Sequence, residues 1–293
     1  MPTTDTPLRY PGGKSQLIPF VIELMRTNDL FYGEYAEPFA GGAGIAIKLL
    51  LDDYVSRIHL NDFDPAIYAL WHSIVHQTDE LCELIYSTDV TIDEWHRQRE
   101  TYFSAKRMSK LKKGFATLFL NRTNRSGIIK AGVIGGLEQK SEYSLDCRFK
   151  KLDLTRKIQR IGARREQISL TNLDAAEFIT QVVPTTGKDT LVNLDPPYFA
   201  KGQDLYTNFY NPEDHAQLAN AVAKIKRRWM VTYDDTPEIR QLYAKYPTFT
   251  TKLNYSAQVK RMGTELLVLD PKLHAPASIW ALQIPESELK LAS

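Results

Sequence analysis

Cysteine is scarce in this chain of 293 residues, which contains only two. Cys82 and Cys147 lie far apart and form no Cys-x-x-Cys pair, so a disulfide framework is excluded and a zinc site is disfavoured. Long hydrophobic runs are also missing, because charge-free stretches such as 66–78 fall short of the roughly 18 apolar residues that a membrane span needs. Residues 1–6 lack the basic and apolar regions of a signal peptide. We therefore expect a cytoplasmic protein without a membrane partner.

Net charge is also small, at +2, but it is unevenly distributed. Residues 97–165 contain 19 Lys or Arg against 5 Asp or Glu, a net charge of +14, which leaves a net charge of −12 for the rest of the chain. Such asymmetry indicates either a surface for a polyanion on an acidic body or a solvated basic helix face. Charge alone favours neither alternative.

Short apolar runs alternate with longer amphipathic segments along most of the chain. This alternation predicts βαβ units, and hence an α/β protein with a mostly parallel sheet covered by helices on both faces. The predicted strands are Glu34–Phe39, Arg57–Leu60, Gln167–Thr171, Thr190–Leu194, Trp229–Thr232 and Leu266–Leu269. Predicted helices include Ile45–Leu51 and one that begins after the cap residue Asn211 and runs to about Lys226.

The alternation is interrupted between residues 65 and 150. This segment predicts helices through Leu120 and then a glycine-rich, strand-like region from Gly127 to Phe149. Most of the excess positive charge lies in the same part of the chain. We therefore predict two units, an α/β body formed by residues 1–64 and 151–293 and an inserted, mainly helical subdomain formed by residues 65–150.

Two strand ends indicate a nucleotide-like ligand, since ligands of open α/β sheets collect at the carboxyl ends of the strands. The first strand continues into the glycine turn 37–44, whose backbone can approach a ligand closely. Ile47 stands where a dinucleotide fingerprint would need glycine, which disfavours a pyrophosphate site. Asp62 ends the second strand about 20 residues later, where it can either accept hydrogen bonds from a ribose or cap the next helix.

A third strand end, Asp195-Pro196-Pro197-Tyr198, carries the strongest chemical signal. Two prolines cannot continue a central strand, so the chain must leave the sheet in a rigid turn with the carboxylate at its lip. A carboxylate and the Pro196 carbonyl can each accept one hydrogen from an exocyclic amine, while Tyr198 stacks on the heterocycle. These acceptors would offset the positive charge that grows on the amine during methyl transfer.

The segment Gly13-Lys14-Ser15 invites comparison with a phosphate-binding loop of the Walker A type. That motif requires a glycine at position 8, where this sequence has Leu8. An ATPase is therefore excluded on this motif.

In motif content and order, the sequence resembles the Dam-like, α-group DNA adenine-N6 methyltransferases. The resemblance extends over nearly the full chain and is carried by Tyr10–Lys14, Glu37–Gly44, Leu60–Asp62, Phe119–Arg122 and Asp195–Tyr198. Glu265-Leu266-Leu267 is similar to the closing sheet segment of the family. The resemblance implies a Rossmann-like sheet dependent on S-adenosylmethionine, with residues 65–150 as the target-recognition insertion.

The resemblance also implies roles for individual residues. Catalysis would involve Asp195, Pro196 and Tyr198 on an adenine flipped out of double-stranded DNA, since the target nitrogen is inaccessible in a stacked duplex. The cofactor would contact Tyr10, Lys14, Glu37, Phe39, Gly41, Gly42, Asp62, Asp174 and Asp195. DNA contacts would come from Arg122, Asn124, Arg125, Lys130 and Arg148. A cognate restriction endonuclease is a conceivable second partner.

Three alternatives share this site or fold: a cytosine-N4 methyltransferase, an RNA adenine methyltransferase, and a catalytically silent DNA-binding regulator. Covalent cytosine-C5 chemistry is disfavoured, because neither cysteine follows the proline that usually precedes the nucleophile in that family. His72 and His76 could share a helix face, but no third metal ligand is near them in sequence. Direct methyl transfer needs no metal, and none is expected.

Overall fold

A computed structural model of the chain describes residues 4–9, 14–200, 210–255 and 261–277, with backbone alone at 252–255 and 261–263. Its centre is a seven-stranded sheet in the order β3-β2-β1-β4-β5-β7-β6. The strands are β1 Glu34–Glu37, β2 Arg57–Asn61, β3 Ile168–Thr171, β4 Leu191–Leu194, β5 Arg228–Asp234, β6 Thr248–Tyr255 and β7 Arg261–Leu269. Strands β1 to β5 are parallel, and β7 runs antiparallel between β5 and β6.

Helices cover both faces of the sheet. They are α1 Ile18–Thr27, α2 Gly44–Leu51, α3 Pro65–His76, α4 Thr78–Ser87, α5 Ile92–Phe103, α6 Lys110–Thr123, α7 Lys151–Gly162, α8 Ala175–Gln181, α9 Pro212–Val222 and α10 Pro237–Leu242. Short 3-10 turns occur at Ser15–Leu17, Arg125–Gly127, Leu145–Arg148, Arg165–Gln167 and Val183–Thr185. This architecture confirms the predicted α/β class.

The apolar side chains form one cluster on each face. The larger cluster joins α1 and α2 with α3 to α7, and its largest fully buried side chains include Trp71 and Phe119. The other packs α8 to α10 against β4 and β5, around Phe178 and Tyr233. Because α3 to α6 share the first cluster with the body, residues 65–150 are anchored on the same core, and their division into a separate subdomain remains a prediction.

The region after α6 differs from its prediction. Residues 124–150 contain only turns, two 3-10 segments and a single isolated bridge between Asn124 and Val133, so the expected strands are absent from this described segment. The physical reason is local: Gly127, Gly135 and Gly136 all have positive φ, which repeatedly reverses the chain. Successive reversals prevent the extended run that a strand requires.

Part of the basic charge also has a different role from the one its position suggested. On and after α7, Lys157 pairs with Asp153, Arg160 with Asp5, and Arg164 with Asp53. The pairs with Asp5 and Asp53 tie α7 and the turn after it to the body, whereas the pair with Asp153 lies within the helix. The surface that remains for a polyanion is therefore narrower than residues 97–165.

Candidate active site

Parallel strands end at one edge of the sheet, and that edge gathers most of the predicted site. Asp62 follows β2, Asp174 follows β3, and Asp195 follows β4 directly. Strand β7 is antiparallel, so its beginning lies at the same edge, and Glu265 pairs there with Asp234 of β5. Four acidic residues therefore lie at this edge of the sheet: Asp62, Asp174, Asp195 and Glu265.

Asp195 lies between two neighbours that fix one of its oxygens. Thr232 Oγ1 donates a hydrogen bond to Asp195 Oδ1 at 3.0 Å, and Lys14 Nζ lies 3.3 Å from the same oxygen. Burial raises the pKa of Asp195, whereas the Lys14 ammonium opposes that shift. The side chain keeps 24% exposure, so a ligand at this edge of the sheet can still reach it.

Tyr198 is buried within the site, where its hydroxyl contacts Lys14 and Glu265. It is 6% exposed, Lys14 Nζ lies 2.5 Å from its hydroxyl oxygen, and the hydroxyl donates to Glu265 Oε1. Lys14 is equally buried, at the cap of the first 3-10 turn. The predicted stacking of a base on Tyr198 stays a prediction, since the ring is enclosed in this conformation.

The glycine turn is fixed by contacts at both of its central carbonyls. Trp71 Nε1 donates to Gly41 O at 2.8 Å, and Thr6 Oγ1 donates to Gly42 O at 2.6 Å. Gly41 N–H points instead to Asp62 Oδ2, 2.8 Å away. Gly41 has φ of 46°, a left-handed conformation that favours glycine. Contacts with the protein itself therefore hold the turn in shape.

Asp62 and Asp174 both act as acceptors for nearby backbone in this structure. Asp62 Oδ1 accepts from Asp64 N–H at 2.9 Å, and Asp174 caps α8 through Ala176 N–H at 2.8 Å. Burial raises the pKa of Asp62 to about 7. Both carboxylates lie at the ligand edge, which is compatible with the cofactor roles that the resemblance implies for them.

Asn61 was not singled out by the sequence analysis, yet it connects three strand ends. Its side-chain amide donates to Pro38 O and Leu173 O, and its Oδ1 accepts from Thr171 Oγ1 and from Leu173 N–H. All four partners lie within 2.9 Å, and Asn61 is 1% exposed. A fully satisfied buried amide of this kind sets the spacing between the turns after β1 and β3.

Asp234 was likewise missed, and it orders the chain that follows the Asp195 motif. Its two carboxylate oxygens accept from the backbone N–H groups of Phe199 and Ala200, each at 2.8 Å. The only available signal was a polar residue at the end of an apolar strand.

Phe39, a predicted cofactor contact, is half-buried, with its ring centroid 6.0 Å from that of Tyr210.

Glu37 is enclosed beneath the glycine turn, at 5% exposure. Burial, together with the nearby Asp195 carboxylate, raises the pKa of Glu37 to about 8. Its carboxyl group is therefore largely protonated at neutral pH. Tyr10, another predicted cofactor contact, lies outside the described residues.

Replacing Glu37 with Gln is expected to increase the free energy of unfolding at pH 8 by about 4 kcal/mol. The pKa near 8 in the folded chain exceeds the ordinary value of 4.5, so the wild type loses stability as pH rises between these values. Glutamine has no proton to lose. Urea denaturation at pH 5 and pH 8 measures the effect, with exposed Glu238→Gln as the control. An equal difference between variant and wild type at both pH values would contradict the prediction.

Two of the five predicted DNA contacts lie inside the protein, and those predictions are corrected. Asn124 is 0% exposed, accepts from Trp95 Nε1 at 2.6 Å and donates to Ile129 O at 2.8 Å. Arg122 is 9% exposed and donates through Nε to Pro7 O at 2.7 Å. Their long-range partners explain the error, since no local pattern could show that α6 ends against residues 7 and 95.

The other three predicted DNA contacts remain accessible. Arg125 and Lys130 are exposed, and Arg148 is half-buried. Arg9 lies on the same side of the protein. Its backbone is fixed there by Asn121, which accepts from Arg9 N–H and donates to Arg9 O, each at 2.8 Å. Burial and the nearby Arg148 lower the pKa of Arg9, so these cations are close enough to repel each other.

Among the described residues, no group of three His, Cys, Asp or Glu side chains could hold a metal ion. No helix in the same part of the chain is long and apolar enough to cross a membrane.

The fold and the site together define a Rossmann-like methyltransferase, with the motif carboxylate Asp195 at the ligand edge of its sheet. The chain belongs to the D12 class of N6 adenine-specific DNA methyltransferases, whose family model matches residues 10–260. It is therefore an enzyme that methylates adenine N6 in DNA with a methyl donor of the S-adenosylmethionine type. The cytosine-N4, RNA and silent-regulator alternatives are not favoured.

Solved structures that match the chain are distant from it in sequence. One is "a putative RNA methyltransferase PH1948 from Pyrococcus horikoshii", at 11% identity and a TM-score of 0.44, with 89% of this chain and 84% of that chain covered. Another is protein LPL1258 from Legionella pneumophila, at 11% identity and a TM-score of 0.31, covering 96% and 90%. No curated protein matches the chain in sequence.

Proposed function

We propose that the chain transfers a methyl group from S-adenosylmethionine to N6 of an adenine rotated out of double-stranded DNA, with Asp195 as the residue that holds the target amine. The observation that carries this proposal is the placement of Asp195. Its Oδ1 is fixed by Thr232 and Lys14, while its side chain keeps 24% exposure at the edge of the sheet. We expect Oδ2 to accept one amine hydrogen and the Pro196 carbonyl to accept the other.

The chemistry explains why two acceptors are needed. An adenine amine is a weak nucleophile, because its lone pair is delocalised into the ring. Acceptors placed before the reaction draw the nitrogen toward tetrahedral geometry and offset the charge that develops on it. The prolines at 196 and 197 keep this arrangement rigid, since proline fixes its own φ. Such fixed acceptors are worth most in the transition state rather than in substrate binding.

The residues at the strand ends fit the methyl donor. S-adenosylmethionine supplies an electrophilic methyl group on a positively charged sulfur. Asp62 lies where a ribose acceptor is expected, and its Oδ2 accepts from Gly41 N–H, so the glycine turn lies directly beside it. We assign the ribose of S-adenosylmethionine to Asp62, its methionine part to the turn and to Lys14, and its adenine to Asp174. Glu37 supports the turn from beneath rather than from the open side.

DNA would approach the side formed by the loop after α6. Arg125 and Lys130 are exposed there, and Arg9 and Arg148 lie close behind them. This cluster gives the enzyme a positively charged surface near the site that can contact DNA phosphates. We assign none of these residues to a particular base. Arg122 and Asn124 would shape that surface from inside. Base rotation follows from the depth of Asp195, since a stacked adenine cannot present N6 to it.

Replacing both Arg125 and Lys130 with Ala is expected to weaken binding to all duplex sequences about tenfold at low salt. Each lost phosphate contact should reduce the slope of log affinity against log salt by about 0.9, so the double variant should lose nearly 2. Fluorescence anisotropy with a labelled duplex over a salt series measures both quantities. The matched control is Lys224→Ala with Lys226→Ala, two exposed lysines just before β5 at the opposite edge of the sheet.

An unchanged salt slope in the Arg125 and Lys130 variant would show that these side chains face solvent in the complex.

Transfer of labelled methyl groups to DNA, mapped by sequencing of N6-methyladenine, tests the reaction itself and reveals the recognition sequence. Pairing with a restriction endonuclease is a separate hypothesis. Protection of the methylated DNA from an endonuclease encoded beside the enzyme would support it.

A further inference from the structure

Glu265 occupies an unusual position for a carboxylate. It lies at the middle of β7, between Asp234, the last residue of β5, and Thr251 of β6, and it is 1% exposed. A carboxylate is almost never buried to this extent without a charged partner. Because β7 is antiparallel to β5, the side chain reaches the edge where the parallel strands end.

Its contacts connect three residues of the site. Lys14 Nζ donates to Glu265 Oε1 at 2.6 Å, and the Tyr198 hydroxyl donates to the same oxygen. Lys14 Nζ also lies 3.3 Å from Asp195 Oδ1. One ammonium is therefore shared between two carboxylates, at a shorter distance from Glu265 than from Asp195. Glu265 Oε2 is buried and has no hydrogen-bond partner among the described residues.

Burying the charged groups of Glu265 and Lys14 costs free energy, and the sheet does not need this ion pair for its own stability. Strand β7 is already paired along its length with β5 and β6. Replacing a buried ion pair with well-packed apolar side chains is often neutral or stabilising. Burial raises the pKa of Glu265, and the neighbouring Asp195 raises it further, although Lys14 opposes both effects. Stability of the strand alone therefore gives no reason for a carboxylate at this position.

We propose that Glu265 is a positioning residue of the active site, whose charge holds Lys14 back from Asp195 and makes the site favour a cationic methyl donor over its neutral product. The proposal rests on the donor and the role of Asp195 proposed above. With both carboxylates ionised and Lys14 protonated, the three residues carry a net charge of −1. S-adenosylmethionine is cationic at sulfur, and S-adenosylhomocysteine has lost that charge together with the methyl group.

Two consequences follow from the shared ammonium. Because the Lys14 ammonium lies closer to Glu265, it does not form a close, exclusive ion pair with Asp195. Asp195 therefore keeps its ability to accept a hydrogen from the amine. The excess negative charge also attracts the sulfonium group before transfer and loses that attraction afterwards. Glu265 would thus assist both orientation of Asp195 and release of product, without touching the substrate.

The test is Glu265→Gln, which keeps the shape of the side chain and removes its charge. Isothermal titration of the full chain should show affinity for S-adenosylmethionine about tenfold lower and affinity for S-adenosylhomocysteine within twofold of wild type. The kcat for DNA should fall at least tenfold. Its acidic limb should move to lower pH, because Lys14 then pairs fully with Asp195 and stabilises the ionised carboxylate.

Two further variants make the result specific. Glu34→Gln is the matched control, because Glu34 is a carboxylate at the opposite end of β1 that accepts from Gly187 N–H at 2.9 Å and contacts His59. It should leave the ratio of the two affinities unchanged. Glu265→Asp, which keeps the charge on a shorter side chain, should preserve that ratio within twofold even if kcat falls. Circular dichroism establishes the fold of each variant.

An affinity ratio and pH profile like those of wild type in folded Glu265→Gln would overturn the proposal. If that variant does not fold, loss of the ratio in Glu265→Asp would overturn it instead. Failure of the proposed function is distinguishable, since it would appear as methyl transfer that survives loss of Asp195. The ligand titrations contain no DNA and do not depend on that reaction.

Discussion

Replacing Asp195 with Ala is expected to lower kcat for DNA methylation about a thousandfold, with little change in affinity for the duplex. The carboxylate acts mainly on charge that develops during transfer, and removal of one fixed group of this kind typically costs 10²- to 10³-fold. Loss of Asp195 also leaves Lys14 with Glu265 as its remaining carboxylate partner among those described here. Single-turnover transfer of labelled methyl groups, with anisotropy for binding, separates the two effects.

Asp189→Ala is the matched control for this experiment. Asp189 is exposed and lies just before β4, whereas Asp195 lies just after it. We expect the control to keep wild-type turnover and binding. Turnover within a few-fold of wild type in Asp195→Ala would remove Asp195 from the reaction. A parallel loss of duplex affinity would instead show that the carboxylate shapes the DNA surface.

Replacing Gly114 with Ala is expected to lower the free energy of unfolding by about 3 kcal/mol. Gly114 lies where α6 crosses α3, and an added Cβ would be 2.7 Å from Ala69 O and from Ser73 Oγ, and 2.9 Å from Leu70 Cα. Two of these three atoms belong to helix backbone and cannot move aside easily. The clash outweighs the gain of about 1 kcal/mol that alanine gives over glycine in a helix.

Chemical denaturation monitored by circular dichroism measures this change. Gly187→Ala is the control, since its added Cβ would meet nothing closer than Glu34 Cδ at 3.5 Å. That substitution should change the free energy of unfolding by less than about 0.5 kcal/mol. Wild-type stability in Gly114→Ala would show that α3 and α6 can separate without cost, and that the insertion is packed more loosely than the structure indicates.

The sequence predicted the inner strands well, because each is an apolar run bounded by turn residues. Six strands lie where they were expected, to within a few residues at their ends except that β7 begins five residues earlier. Strand β6 was missed, because Thr248–Tyr255 contains no continuous apolar run and lies at the edge of the sheet. The helix after Asn211 was confirmed with a complete capping box, although it ends at Val222.

A residue of the site could be predicted only where a polar or charged side chain directly follows a parallel strand. Asp62 and Asp195 satisfy that condition, and the structure places both at the ligand edge. Glu265 does not, since only the antiparallel course of β7 brings it there. Asn124 fails for the opposite reason, because distant Trp95 fixes a polar side chain that a surface pattern would assign to solvent. Contacts between elements far apart in sequence are invisible to local periodicity.

The position of β7 between β5 and β6 has a consequence for synthesis of the enzyme. Strand β5 is made well before β7, yet its second edge is paired only by β7. An unpaired edge of apolar residues is a template for association with other chains. A nascent chain on the ribosome therefore carries an open edge on β5, and lacks Glu265, until Arg261–Leu269 has been synthesised.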